Sequence, residues 1–135
     1  MRALLAGLLC IAGLAGAASA EDCTTLATQL EMNDCAARAF DAADADLNRT
    51  YGDVVARLAD DPAGLGKLRA AERAWVAFRD AECGFAAKGV ETGSIYPMIL
   101  FACRQAMTED RLATLKGYLV CPEGDLACPV PRQPD

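Results

Sequence analysis

The side chains that could do chemistry are few in kind, and the chain contains no histidine. A cysteine nucleophile therefore has no imidazole base, and no Ser-Lys motif takes its place. Paired carboxylates are the remaining acid–base option, with Asp44 and Asp46, and Asp80 and Glu82, as candidates. A glycosidase works with two such groups flanking the scissile bond. Acidic helical proteins carry close carboxylates on solvated or ion-paired faces as a matter of course, so these read as surface. The glycines at 64, 66, 89 and 93 form no phosphate-cradling pattern. Without His or a Cys-x-x-Cys pair there is little from which to build a zinc site. The sequence predicts no enzyme, no catalytic residue, no metal and no cofactor.

The most information-rich stretch is Glu72-Arg-Ala-Trp-Val-Ala-Phe-Arg-Asp-Ala-Glu-Cys83, which holds the only Trp of the chain. As a helix it sets Ala71, Trp75, Phe78 and Glu82 on one face and Arg69, Arg73, Val76 and Asp80 on another. The first face is apolar and the second is an ion-pair ladder. Trp75 is expected in the core, beside Arg79. Arg111 falls on the apolar stripe of a later helix, where a bare charge is costly, so it is expected to meet a carboxylate, with Asp80 and Asp44 the best candidates.

Composition sets the setting for these residues. Residues 1–20 read as a cleaved signal peptide: Arg2 as the n-region, Ala3 to Ala17 as the apolar region and Ala18-Ser19-Ala20 as the cleavage site. The run is too short and too rich in Ala and Gly for a membrane span, and Leu9 before Cys10 does not fit a lipoprotein signal. Cleavage removes one cation and no acid, leaving 12 cations and 19 acids, a charge of −7 on 115 residues. That is one small domain, periplasmic or secreted, not inserted in a membrane, and electrostatically unsuited to nucleic acid. Six cysteines remain, Cys23, Cys35, Cys83, Cys103, Cys121 and Cys128. An even number in an exported chain reads as a disulfide framework, with fifteen connectivities open. Nearest-neighbour pairing is the expectation, and a return of Cys121 to Cys23 is the alternative.

The elements that must position these residues follow from periodicity. Leu26 and Leu30 predict a short two-turn helix between Cys23 and Cys35. Asp34 then caps a helix to about Ala59, in which Phe40, Leu47, Tyr51, Val54 and Leu58 recur at spacings of seven, four, three and four. Gly52 in this helix suggests the close approach of another. Asp60-Asp61-Pro62 ends it, and Pro62 to Gly66 forms a turn. The third helix starts between Pro62 and Gly66 and runs to about Ala87 with Leu65, Leu68, Ala71, Trp75 and Phe78 buried, packed antiparallel on the second as a hairpin. Ser94 caps a fourth helix with Pro97 in its first turn and Leu100, Cys103, Met107, Arg111, Leu115 and Tyr118 on one face; the alternative is that Thr108 caps a separate helix after a kink or break near Met107. The predicted fold is all-α: a small, disulfide-stapled bundle of about four helices built on a long antiparallel hairpin. Residues 21–120 form the helical domain, and 121–135 a Cys/Pro-rich loop and tail, disordered from Pro129.

Several of these segments together resemble one family. Asp44-Ala-Asp-Leu-Asn48 with Tyr51, then Glu72 to Cys83, then Gly93-Ser94, Cys103, Thr108, Arg111 and Leu115 look like the LprI-type lysozyme-inhibitor domain of small exported bacterial proteins. The match covers about residues 23–119. Position 72 is Glu where the family pattern usually has Gln, and the Cys121 to Cys128 loop lies outside the pattern. The resemblance implies a non-enzymatic protein whose partner is a basic lysozyme. Asp41, Asp44, Asp46 and Asp53 are the candidate binding residues, on an acidic helical face. The motif residues Asn48, Tyr51, Arg73, Trp75, Phe78, Arg79, Asp80 and Arg111 are expected to be structural. The alternative is an envelope interaction module binding another exported protein through Trp75 and Arg79 or the Pro-rich tail.

Overall fold

The computed structural model describes residues 22–122 and 124–130. The predicted signal segment and the last five residues of the predicted tail lie outside them. Three long helices, α1 (Gln29–Arg57), α2 (Pro62–Ala87) and α3 (Tyr96–Leu119), account for most of the described chain.

Helix α1 starts earlier than Asp34, and the predicted short helix is not separate from it. Thr28 is the N-cap: its hydroxyl accepts from the Glu31 N–H at 3.2 Å while the Glu31 carboxylate accepts from the Thr28 N–H at 2.9 Å. This capping box satisfies two otherwise orphaned donors, and no Pro interrupts the helix beyond it. Asp34 is therefore an interior residue, and among the described residues a 3-10 turn, Asp22–Thr25, precedes α1. The Cys23–Cys35 bridge, with Cα atoms 5.5 Å apart, ties that turn to the helix. Leu26 and Leu30, the pair that predicted the short helix, are both exposed rather than set on the core.

Asp61 caps α2 by accepting from the Gly64 N–H at 2.9 Å, and Pro62 occupies the first helical turn, where its missing N–H costs nothing. The helix thus starts at the first residue of the Pro62 to Gly66 stretch. A 3-10 turn, Lys88–Val90, follows α2. Ser94 does not cap α3: Ile95 holds the N-cap position without a side-chain bond, and the Ser94 carbonyl instead accepts from Asn33 Nδ2 at 2.9 Å. Helix α3 continues unbroken through Met107. Thr108, the alternative cap, is fully buried in mid-helix.

The packing also departs from the expected hairpin. The closest helix pair is α1 with α3, and α2 lies against α3, so the sequential α1–α2 pair is not the backbone contact on which the bundle is built. The seam explains the preference. Ala36, Ala43, Leu47, Thr50 and Val54 of α1 are buried, as are Gln105, Thr108, Leu112 and Leu115 of α3. Both sets recur at alternating steps of three, four or seven, the spacing that lets two helices run alongside one another, and the small residues among them admit a close approach. Leu47, Val54, Leu58, Leu112, Leu115 and Val130 form the apolar core, with Tyr51, Leu65, Leu68, Trp75, Tyr118 and Leu119 packed against it. Gly52 faces open space, so it marks no helix crossing.

Cys83–Cys103 joins α2 to α3, and Cys121–Cys128 closes the loop after α3. Gly124 in that loop has φ +79°, a conformation that favours glycine. Val130, expected in a disordered tail, is 4% exposed and fills the core beyond the loop.

Candidate functional site

Helix α2 presents Leu68, Glu72, Trp75, Arg79, Cys83 and Ala87 at steps of three and four, a single inward-facing row. Following apolar residues alone leads instead to Ala71 and Phe78, and both are exposed, Phe78 by 57%. The buried row passes through two charged side chains, and each is matched.

Arg79 is only 7% exposed. Its Nη1 donates to Asp44 Oδ1 at 3.2 Å and to Thr108 Oγ1 at 3.3 Å, and its Nε donates to Asp80 Oδ1 at 3.1 Å. The guanidinium also lies 5.1 Å from the ring centroids of both Phe40 and Trp75. Phe40 in turn stacks on Phe101 at 5.9 Å. One cation thus connects all three helices, through Asp44 and Phe40 of α1, Trp75 and Asp80 of α2, and Thr108 of α3. The carboxylates keep 37% and 42% side-chain exposure, so the cost of desolvation falls mainly on the guanidinium, which the aromatic faces offset. Arg104 stands 3.3 Å from Asp80, an ion pair without an aligned hydrogen bond.

Arg111 meets neither Asp80 nor Asp44. Its Nε and Nη2 both donate to Glu72 Oε2, at 3.0 and 2.8 Å, with the two side chains 14% and 15% exposed. Asp44 and Asp80 are committed to Arg79, which leaves Glu72 as the carboxylate of the inward row one turn away. Sequence reasoning missed the burial of Arg79, and the three-and-four register of Glu72, Trp75, Arg79 and Cys83 was the signal that could have found it.

The four aspartates predicted to share an acidic face are divided. At roughly 100° per residue, Asp46 and Asp53 lie about 20° apart on α1, and Asp44 is on nearly the opposite side. Asp44 accepts from Arg79 and from Asn48 Nδ2, and Asp46 pairs with Arg49. Asp41 and Asp53 are exposed, and neither has an ion-pair partner among the described residues. Arg57, placed by spacing beside Asp53, donates instead to the Leu119 carbonyl at 2.8 Å.

A groove of about 360 Å³ opens between α1 and α2, with Asp44, Asn48 and Tyr51 on one wall and Arg69, Arg73 and Trp75 on the other. A larger cleft of about 600 Å³ lies between Leu58, Leu68, Tyr118 and Val130 and is walled mainly by aliphatic groups. Among the described residues no helix is long and apolar enough to cross a membrane.

These features define a class: a small, disulfide-stapled helical domain held on a buried arginine. The chain belongs to the family described as lysozyme inhibitor LprI, whose model matches residues 19–115. It is similar to the protein named uncharacterized protein R02472 of Rhizobium meliloti (strain 1021), at 38% identity over 127 residues, covering 83% of this chain and 89% of the relative. No solved structure shows significant similarity to it.

Proposed function

We propose that this chain is an exported, non-enzymatic protein that binds and inhibits a lysozyme-type muramidase. Membership of the lysozyme-inhibitor family carries the reading. Three disulfides fit an oxidising compartment, in keeping with residues 1–20 acting as a cleaved signal. The formal charge of −6 on the full sequence favours encounter with a basic enzyme by electrostatic steering. Within the acidic set, Asp41 and Asp53 are the carboxylates available to a partner, Asp46 is shared with Arg49, and Asp44 acts in holding Arg79. A turbidity assay of cell-wall lysis tests the reading. Lysis by a basic lysozyme should slow in proportion to added protein at low and moderate salt, and unchanged lysis at a large molar excess rules inhibition out.

A second reading, an envelope module docking on another exported protein, draws support from α2. Phe78 and Phe85 are 57% and 64% exposed and stand seven residues apart, on one face of the helix. Arg79, first considered as part of such a surface, is buried and offers no contact. Replacing both phenylalanines with Ser should abolish retention of an envelope partner while leaving inhibition of lysozyme intact; loss of inhibition instead would assign that face to the inhibitor interface.

A further inference from the structure

The groove between α1 and α2 is lined by two cations, Arg69 and Arg73, and two carboxylates, Asp44 and Glu72. Its two acidic members are already spent: Asp44 is held by Arg79, and Glu72 by Arg111. Arg69 and Arg73, one turn apart on α2, are exposed and have no ion-pair or hydrogen-bond partner among the described residues. Only the carboxylates of this set are paired within the fold, which leaves the two guanidinium groups open to a ligand.

Other unused groups converge on the same space. Tyr51, Trp75 and Asn48 line the groove, and the Tyr51 hydroxyl, Trp75 Nε1 and Asn48 Oδ1 have no hydrogen-bond partner among the described residues. The Trp75 indole, already oriented by Arg79 at 5.1 Å, supplies a rigid apolar surface beside them. Arg79, Asp44 and Glu72 are engaged in holding the fold, whereas this second set of donors and an acceptor is not. At about 360 Å³ the groove is at the small end of the range for small-molecule sites.

We infer that this groove binds a carboxylated pyranose: Arg69 and Arg73 grip the carboxylate, the ring lies on Trp75, and Tyr51 and Asn48 hydrogen-bond its hydroxyl or amide groups. Paired guanidinium forks match a planar carboxylate, whereas hydroxyl-rich rings suit an aromatic face edged by mixed donors and acceptors. The site uses none of Asp41, Asp46 or Asp53, so it stands whether or not the chain inhibits a lysozyme.

Trp75 is the only Trp, so its fluorescence reports on the groove directly. The intact, oxidised chain is titrated with three probes, and isothermal calorimetry provides a second readout. N-acetylmuramic acid has both ring and carboxylate, N-acetylglucosamine has the ring without the carboxylate, and lactate has the carboxylate without the ring. The expected result is saturable binding of N-acetylmuramic acid with a dissociation constant of about 1 mM or lower, and at least about tenfold weaker binding of the other two. Arg69→Ala and Arg73→Ala should each weaken binding about tenfold without moving the thermal midpoint, because neither side chain is paired in the fold. The inference is overturned by the absence of saturable binding in both readouts up to about 20 mM, by N-acetylglucosamine or lactate binding equally well, or by both variants binding like the parent.

Discussion

Arg79 shows how one side chain can act as both a charge and a structural post. Its three hydrogen bonds and two aromatic neighbours come from all three helices, so removing it leaves Asp44 without its counter-ion, Asp80 with Arg104 alone, and a gap between Phe40 and Trp75. Because those carboxylates are partly solvated, Arg79→Ala should lower unfolding free energy by about 2–4 kcal/mol, somewhat below the cost of breaking a fully buried pair. Urea denaturation measures it, and a change within about 0.5 kcal/mol would show that the cluster is not structural. The Arg111–Glu72 pair provides a second, graded case. Glu72→Gln keeps an acceptor for Arg111 and should cost about 1 kcal/mol, whereas Glu72→Leu strands a largely buried guanidinium and should cost about 3 kcal/mol. Equal losses for the two variants would indicate that charge, rather than the hydrogen bonds, holds the pair.

Among the elements, α2 is the one most dependent on cross-links. It lies mainly against α3 and reaches α1 through side chains, with Phe78 and Phe85 facing outward. Cys83–Cys103 closes a separation of 20 residues between the two helices. In the chain-entropy model such a loop contributes about 3 kcal/mol, so replacing both cysteines by Ser should lower the thermal midpoint by roughly 10 °C or more. Breaking Cys121–Cys128, which closes a separation of 7 and sits beyond α3, should cost less. Differential scanning calorimetry of the two double variants gives the order directly, and the reverse order would refute this division of labour. Helix α1, by contrast, rests on a long buried seam with α3 and has its own capping box, which is why it runs through Asp34 without a second start.

For the whole molecule the question is how a net acidic surface meets its partner. If exposed carboxylates steer a basic enzyme, raising NaCl from about 0.05 to 0.5 M shortens the Debye length from roughly 14 to 4 Å and should weaken inhibition at least about tenfold. Charge reversal at Asp41 and Asp53 together should weaken it by a similar factor at low salt and by much less at high salt. Lysis assays across a salt series check both; an effect of the substitutions that is independent of salt would place these residues in a desolvated contact rather than a steering field.

Much of this molecule follows from local pattern. The absence of His, the even cysteines after the signal-like segment, the three-and-four spacing and the Glu72 to Cys83 motif together determine an all-helical, disulfide-stapled member of this family. Helix ends set by Pro62 and by Ala87 were legible for the same reason, since they depend on neighbours in the chain. The α1–α3 seam, the choice of Glu72 for Arg111 and the burial of Arg79 were not. Each depends on which helix faces come together and on the competition among several carboxylates for a few guanidinium groups. Spacing along one helix places a charge on a face, but only the assembled bundle decides what faces it, and that pairing separates the charges that hold the fold from those left free to bind.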